Sequence, residues 1–438
     1  MQIFSIATLI VLYLCLMKVT LINTSDAGGG APSACLRLLK ALEGRHVDVS
    51  LLVQQKKTNE PRVEGIEKNM FSRLKARFDF LYERLPFIAF HEKDKSVRFA
   101  FSTANAGTSL KDEPLIKEAD ILHLHWTNSG FLSIQDLKEL VMLGKPVVWT
   151  MHDVWTFTGG CHYPGDCDHF KRECGNCFFL RDPDKADISH TGWLRKTGMY
   201  SENRSVHFVA CSSWLASVAK QSSLLKGYNI RSIPNPIDTN LYSPKAKAAA
   251  RVKRNIGPDK KIILFGAANI NDRRKGISYL VEALKLLKNS YPDDKQIEMV
   301  IFGKNKHFDV SQLPFTVNEL NIITSQEELA EIYSLADVFV TPSVEDNLPN
   351  TVMEALACGT PVVAFDTGGI PEMVDHLQNG YLAELKSAPD LANGLYEILY
   401  SDNPATLAQN AREKVLRNFN NETVANQYIK LYRSLLKK

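Results

Sequence analysis

Two acids eight residues apart, Asp346 and Glu354, stand in one short stretch of this 438-residue chain, with Glu345, Asn347 and Leu348 around the first. An apolar run, 336–342, precedes them and another, 361–365, follows, so the acids bracket a loop and the opening of a helix between two buried strands. Such a loop lies at the carboxyl edge of a parallel sheet, where open α/β sheets bind ligands. Two acids at this spacing are by themselves ordinary surface residues; the strand, loop and helix around them make them a site. Arg274 and Lys275 open a helix after the strand 261–265. A guanidinium and an ammonium there can clamp a diphosphate, because helix amides and fixed cations favour the same anion. The plainer alternative is a basic helix end in water. Gly368 and Gly369, after the strand 361–365, allow a backbone to approach a ligand.

In the first half, Gly28, Gly29 and Gly30 follow the first strand and precede a helix. They remove side-chain bulk where backbone must meet phosphate or sugar, or they form a flexible turn. They match neither the Gly-x-Gly-x-x-Gly dinucleotide fingerprint nor the Gly-Lys-Ser/Thr loop of nucleoside triphosphate enzymes. His152 and Asp153 come directly after the strand 146–150, and His123, His125 and Trp126 end the strand 120–126. A lone histidine at such a place is as readily a core residue.

The elements that must position these residues alternate apolar runs with amphipathic stretches from end to end, the βαβ pattern of parallel sheets covered by helices. Strands are expected at 19–22, 47–53, 120–126, 145–150 and 207–211, then at 261–265, 298–302, 338–340 and 361–365. Helices are expected near 276–289, 326–335 and 350–357 and through 404–438. The length exceeds one core and fits two domains of about 200 residues. Pro234, Asn235 and Pro236 break both periodicities, giving a first domain at 17–235 and a second at 236–420. A Lys- and Ala-rich stretch, 245–254, reads as a solvated helix between them. A net charge of +3 argues against nucleic acid as the main partner.

Residues 1–16 are an apolar extension shorter than the roughly 20 residues a spanning helix needs. Three readings stay open: a start upstream of a true Met17, a short anchor, or a secretory signal.

Together the acid pair, the Arg274-Lys275 helix start, the Asn235-Pro236-Ile237-Asp238 joint and the His152-Asp153 pair resemble family 4 retaining glycosyltransferases of the GT-B fold. Residues 151–163 are similar to the same stretch of bacterial colanic-acid and capsule glycosyltransferases. The resemblance implies an α/β chain of two doubly wound Rossmann-like domains facing across a cleft, with a last helix, 421–438, crossing back to the first. It also implies a nucleotide-diphosphate sugar as donor and a saccharide or lipid-linked acceptor in surface polysaccharide assembly. Glu354 would take the ribose hydroxyls, Asp346 or its neighbour Glu345 the sugar, and the amides of Asn347 and Leu348 the distal phosphate. Lys275 and Arg274 would hold the diphosphate, with Ala267 standing where the family carries an arginine. His152 would lie against the donor sugar, while His123, His125, Trp126 and Asp153 would line the acceptor side. The implied mechanism is a front-face one with no catalytic metal; Asp166-Cys167-Asp168 and Asp182-Pro183-Asp184 are chance triplets of a metal motif. Two rivals are a nucleotide-sugar epimerase on the same fold and a catalytically silent sugar-binding subunit.

Cys161, Cys167, Cys174 and Cys177 suit a structural zinc, disulfides if the chain is exported, or separate thiols. Phe71, Leu74, Phe78 and Leu81 recur at helical spacing among Lys68, Arg73, Lys75, Arg77 and Arg84. They read either as a helix packed on the sheet or as peripheral membrane contact. The expected place is the cytoplasm, or the inner face of its membrane.

Overall fold

The computed structural model describes residues 17–201, 205–292 and 296–437, so the apolar extension 1–16 and its three readings lie outside the described residues. The chain forms two compact units, one of residues up to Pro234 together with Val424–Lys438, the other Asn235–Thr423.

The first unit is built on a seven-stranded sheet in the order β3-β2-β1-β4-β5-β6-β7, with every neighbouring pair parallel. Its strands are β1 (Lys18–Ser25), β2 (Asp48–Gln55), β3 (Val63–Gly65), β4 (Ile121–Leu124), β5 (Val147–Met151), β6 (Val206–Ala210) and β7 (Ile230–Ser232). Both faces are covered, as the period of two requires: Val147, Trp149 and Met151 pack into one cluster and Val148 into the other. The second cluster includes Val424, Tyr428, Ile429 and Tyr432 of the Asn421–Leu436 helix, which thereby completes the first unit's core.

The second unit has a six-stranded parallel sheet, β10-β9-β8-β11-β12-β13. Here β8 is Lys261–Asn269, β9 Ile297–Lys304, β10 Thr316–Glu319, β11 Val338–Thr341, β12 Val362–Phe365 and β13 Gly380–Ala383. Strand order reverses between β8 and β11, the kind of switch point where doubly wound sheets open a ligand crevice. The Arg274-Lys275 segment follows β8, the acid loop follows β11 and the glycine pair follows β12.

Two expectations need correction. The stretch 245–254 contains a helix, Lys247–Val252, but Arg251 is not solvated: it is 6% exposed and donates to Asp337, Leu335, Pro258 and Lys260. The Met70–Pro86 helix does not lay its apolar stripe on the sheet. Its buried residues are Ala76, Asp79, Glu83 and Arg84, while Phe71, Leu74, Phe78 and Leu81 are 85%, 64%, 63% and 49% exposed. Each inward polar group has a partner: Asp79 accepts from Lys75 Nζ, Glu83 Oε2 from the Gly130 amide, and Arg84 donates to the Phe101 carbonyl, while Glu83 Oε1 and Arg84 Nε are left without one among the described residues. Paired in this way, they can occupy the inner face without the cost of stranded charge.

Candidate functional site

In the second unit, three loops are sewn together at the carboxyl ends of β8, β11 and β12. Val344 donates its amide to the Arg274 carbonyl at 2.8 Å, and Gly369 donates to the Asp346 carbonyl at 3.3 Å. Gly276 has φ +68° and a Cβ there would stand 1.9 Å from the Pro342 oxygen; Gly368 has φ +59° and a Cβ would stand 1.7 Å from the Asp346 oxygen. Only glycine allows both the left-handed turn and that approach. The glycine pair thus fixes the acid loop's backbone.

Within this frame Lys275 Nζ meets Asp346 Oδ2 at 2.5 Å. Asp346 and its neighbours Asn347 and Leu348 are buried, whereas Glu345 is half-buried. Of the two adjacent acids, it is Asp346 that the fold brings to the lysine. Arg274 turns to Asp272, 2.7 Å away. Glu354, in the Asn350–Ala357 helix, is 6% exposed and accepts from the Tyr333 hydroxyl at 2.9 Å. Tyr333 was not among the expected site residues; nothing in a buried tyrosine twenty-one positions upstream marks it as a carboxylate's partner.

In the first unit, Gly28 and Gly29 have φ +91° and +149° and lead into the Gly30–Glu43 helix, whose start has no side-chain cap. His152 and Asp153 leave β5 half-buried. Asp153 is a hub: it accepts from the Trp126 indole at 3.0 Å and the Trp155 amide at 2.9 Å, and lies 2.7 Å from His162 Nδ1. Burial raises its pKa, but the His162 charge and these donors outweigh that and lower it. His152 Nε2 lies 3.0 Å from His125 Nδ1, and its Nδ1 lies 3.6 Å from Cys211 Sγ. Burial lowers His152 to about 4, with the charge of Asp153 opposing the fall, so the ring is neutral near pH 7. His162 and Cys211 are further members that spacing alone did not reveal.

His123 is a correction. It is 0% exposed, with Nδ1 2.6 Å from the Tyr432 hydroxyl and Nε2 2.7 Å from Thr150 Oγ1. Both nitrogens are used inside the core, so it lines no acceptor surface. Among the described residues no group of three or more His, Cys, Asp or Glu could hold a metal ion, and Cys161, Cys167, Cys174 and Cys177 are free thiols. Cys174 Sγ accepts the Gly159 amide at 3.2 Å.

Residues 28–241 match the family description "Glycosyltransferase Family 4" and residues 259–401 match "Glycosyl transferases group 1", so matches of one kind run through both units. The chain belongs to glycosyltransferase family 4. Among its family 4 relatives, the D-inositol 3-phosphate glycosyltransferase of Pseudarthrobacter chlorophenolicus is 32% identical over 312 residues, 68% of this chain and 66% of that protein. The chain spans just under two thirds of that relative and about half of several others, 46% of the Corynebacterium jeikeium protein of the same name among them. The putative colanic acid biosynthesis glycosyl transferase WcaC of Escherichia coli is 25% identical over 74% of this chain and 77% of its own. Sucrose-phosphate synthase from Thermosynechococcus elongatus has the same fold, with a TM-score of 0.66 at 22% identity over 96% of this chain and 99% of that one. Starch synthase IV from Arabidopsis thaliana gives 0.64 at 14%, over 97% and 100%. These likenesses make the family 4 chain a GT-B protein.

Proposed function

We propose that the protein transfers a sugar, with retention at its anomeric carbon, from a nucleotide-diphosphate sugar to a lipid-linked saccharide in surface polysaccharide assembly. The observation that carries this reading is the Lys275–Asp346 pair, set on a loop that runs into the buried, oriented Glu354. On this reading Lys275 exchanges Asp346 for the donor's diphosphate, with Arg274 and the amides of Asn347 and Leu348 beside it. Asp346 then meets the sugar hydroxyls, and Glu354 accepts from the ribose. The bond from the anomeric carbon to the diphosphate breaks, one to the acceptor oxygen forms on the same face, and the acceptor's proton passes to the departing phosphate oxygen. A neutral His152 gives the electron-poor carbon polar support without like-charge repulsion. The scheme uses no metal.

The acceptor half of the proposal draws on relatives' names. A Campylobacter jejuni relative, 27% identical over 42% of this chain, is named as an N,N'-diacetylbacillosaminyl-diphospho-undecaprenol alpha-1,3-N-acetylgalactosaminyltransferase, and WcaC is named for colanic acid. Among the described residues no helix is long and apolar enough to cross a membrane. The outward apolar face of the Met70–Pro86 helix, flanked by Lys68, Arg73 and Arg77, suits contact with an anionic bilayer surface instead. That would put the protein on the inner face of the cytoplasmic membrane.

The deciding experiment is a thermal-shift panel of nucleotide-sugars on the wild type and on Glu354→Ala. One donor should stabilise the wild type and the variant should lose most of that response. Equal stabilisation of both would sink the ribose assignment.

A further inference from the structure

At the carboxyl ends of β1, β2 and β3 the first unit holds a cavity of about 1130 Å³ that none of the expected site residues lines, although Thr24 in its wall bonds to the Trp126 carbonyl. Its lining includes Lys56, Lys57, Arg73 and Arg77, against a single carboxylate, Glu67. Four cations facing one acid leave the cavity strongly positive in a chain whose net charge is only +3.

The cations sit on fixed supports. Asp26, 1% exposed, accepts from the Lys57 amide at 2.7 Å and from the Thr58 amide and hydroxyl at 2.9 and 2.5 Å, which holds the loop that carries both lysines. Lys57 Nζ also reaches toward the glycine loop, 3.5 Å from the Ala27 carbonyl. Arg73 and Arg77 are four apart on the Met70–Pro86 helix, so their Cβ atoms lie about 6 Å from each other on one face. That helix is anchored by its inward Asp79, Glu83 and Arg84, and Ala76, buried between the two arginines, also lines the cavity. Among the described residues neither arginine forms an ion pair; Glu67 feels both charges without bonding to either.

We propose that this cavity binds the phosphate or diphosphate group of the acceptor, with Arg73 and Arg77 as a paired guanidinium clamp and Lys56 and Lys57 completing it. Two planar forks on one helix face match the oxygens of such a group, as arginines do wherever bidentate anion recognition is needed. The inference rests on the transferase reading above, and assigns its acceptor a charged group that the donor residues do not touch. The same chemistry is offered by a polyprenyl diphosphate and by a soluble sugar phosphate.

The test is titration calorimetry of the full chain with inorganic pyrophosphate, on the wild type, Arg73→Gln/Arg77→Gln and Lys275→Ala. The wild type should show two classes of site. The arginine variant should weaken one by about a hundredfold, roughly tenfold for each charge-assisted contact removed, and Lys275→Ala should weaken the other. Arg73→Lys/Arg77→Lys keeps the charge without the forks and should recover part of the lost affinity, which a merely unfolded variant would not allow. Farnesyl diphosphate and glucose 6-phosphate separate the two sources: arginine-dependent binding that prefers the first marks a lipid-borne acceptor, and the opposite preference a soluble one. Pyrophosphate titrations identical in wild type and Arg73→Gln/Arg77→Gln overturn the proposal even if nucleotide-sugars still stabilise the protein through Glu354. Loss of the nucleotide response with the arginine-dependent site intact would instead sink the donor reading alone.

Discussion

Replacing Asp346 with Asn should tighten the binding of the bare nucleoside diphosphate while crippling transfer. Lys275 is held by Asp346 at 2.5 Å, with the two side chains 23% and 10% exposed. Exposed pairs are worth up to about 1 kcal/mol and breaking a buried one costs about 3–5 kcal/mol, so this half-buried pair falls at about 1–2 kcal/mol. A diphosphate must overcome that attraction to take the ammonium. Asn keeps the shape and the amide backbone of the loop but drops the charge, so the diphosphate Kd should fall by about five- to thirtyfold. The sugar loses its carboxylate partner, and turnover should drop by about two orders of magnitude, the scale of one well-placed polar group. Calorimetry with the nucleotide picked out by the thermal-shift panel gives the first quantity, and product formation from the matching donor the second. If Asp346→Asn weakens the nucleoside diphosphate as much as Lys275→Ala does, the two groups do not compete as argued and the exchange is wrong.

Two further outcomes follow from the first unit. His123 and His152 are held at about 3 and about 4 by burial, against an unfolded value near 6.5. Below about pH 6.5 the unfolded chain therefore binds more protons; this stability is fully present above that pH and is lost as pH falls toward 4. Urea midpoints should drop steadily over that window and less steeply in His123→Asn, and a flat profile in the wild type would refute the buried neutral rings. Leu74→Glu/Phe78→Glu removes two outward apolar side chains, each worth about 1.5–3 kcal/mol when fully buried. Flotation with anionic vesicles should fall by at least about tenfold. No flotation of the wild type, or equal flotation of both, would remove the membrane contact.

What could be read from the sequence, and what could not, follows from how each residue is buried. The central strands of both sheets are mostly apolar because both faces are covered, and they were legible as runs despite polar members such as His123 and Thr150. The four strands not expected, β3, β7, β10 and β13, are the edges of the two sheets; β10 has no buried residue at all, so no pattern betrays it. The period of the Met70–Pro86 helix was plain, but a period says which residues share a face, not which face turns inward. That choice was made by Asp79, Glu83 and Arg84 finding partners outside the helix, at Thr108, Gly130 and Phe101. The acid loop was legible because its residues are contiguous. Tyr333 beside Glu354 in the second unit, and His162 and Cys211 beside Asp153 and His152 in the first, come from outside the acid loop and the His152-Asp153 pair, and only the folded chain shows them there. Gly368 read as room for a ligand, whereas the Asp346 carbonyl already fills that room.

The return of the Asn421–Leu436 helix to the first unit has a bearing on how the protein is made. The face of that unit's sheet carrying Leu21, Val49 and Val148 packs against Val424, Tyr428 and Tyr432. All 189 residues of the intervening unit, Asn235–Thr423, must be synthesised before those side chains exist. At about 5–20 residues per second the wait is on the order of 10–40 s. Throughout it the nascent amino-terminal half is an incomplete globule with an oily flank, the kind of surface that chaperones hold and aggregates recruit. The tyrosines that close over His123 come after the whole second unit in the chain, and the first unit reaches its native state only once they have been made.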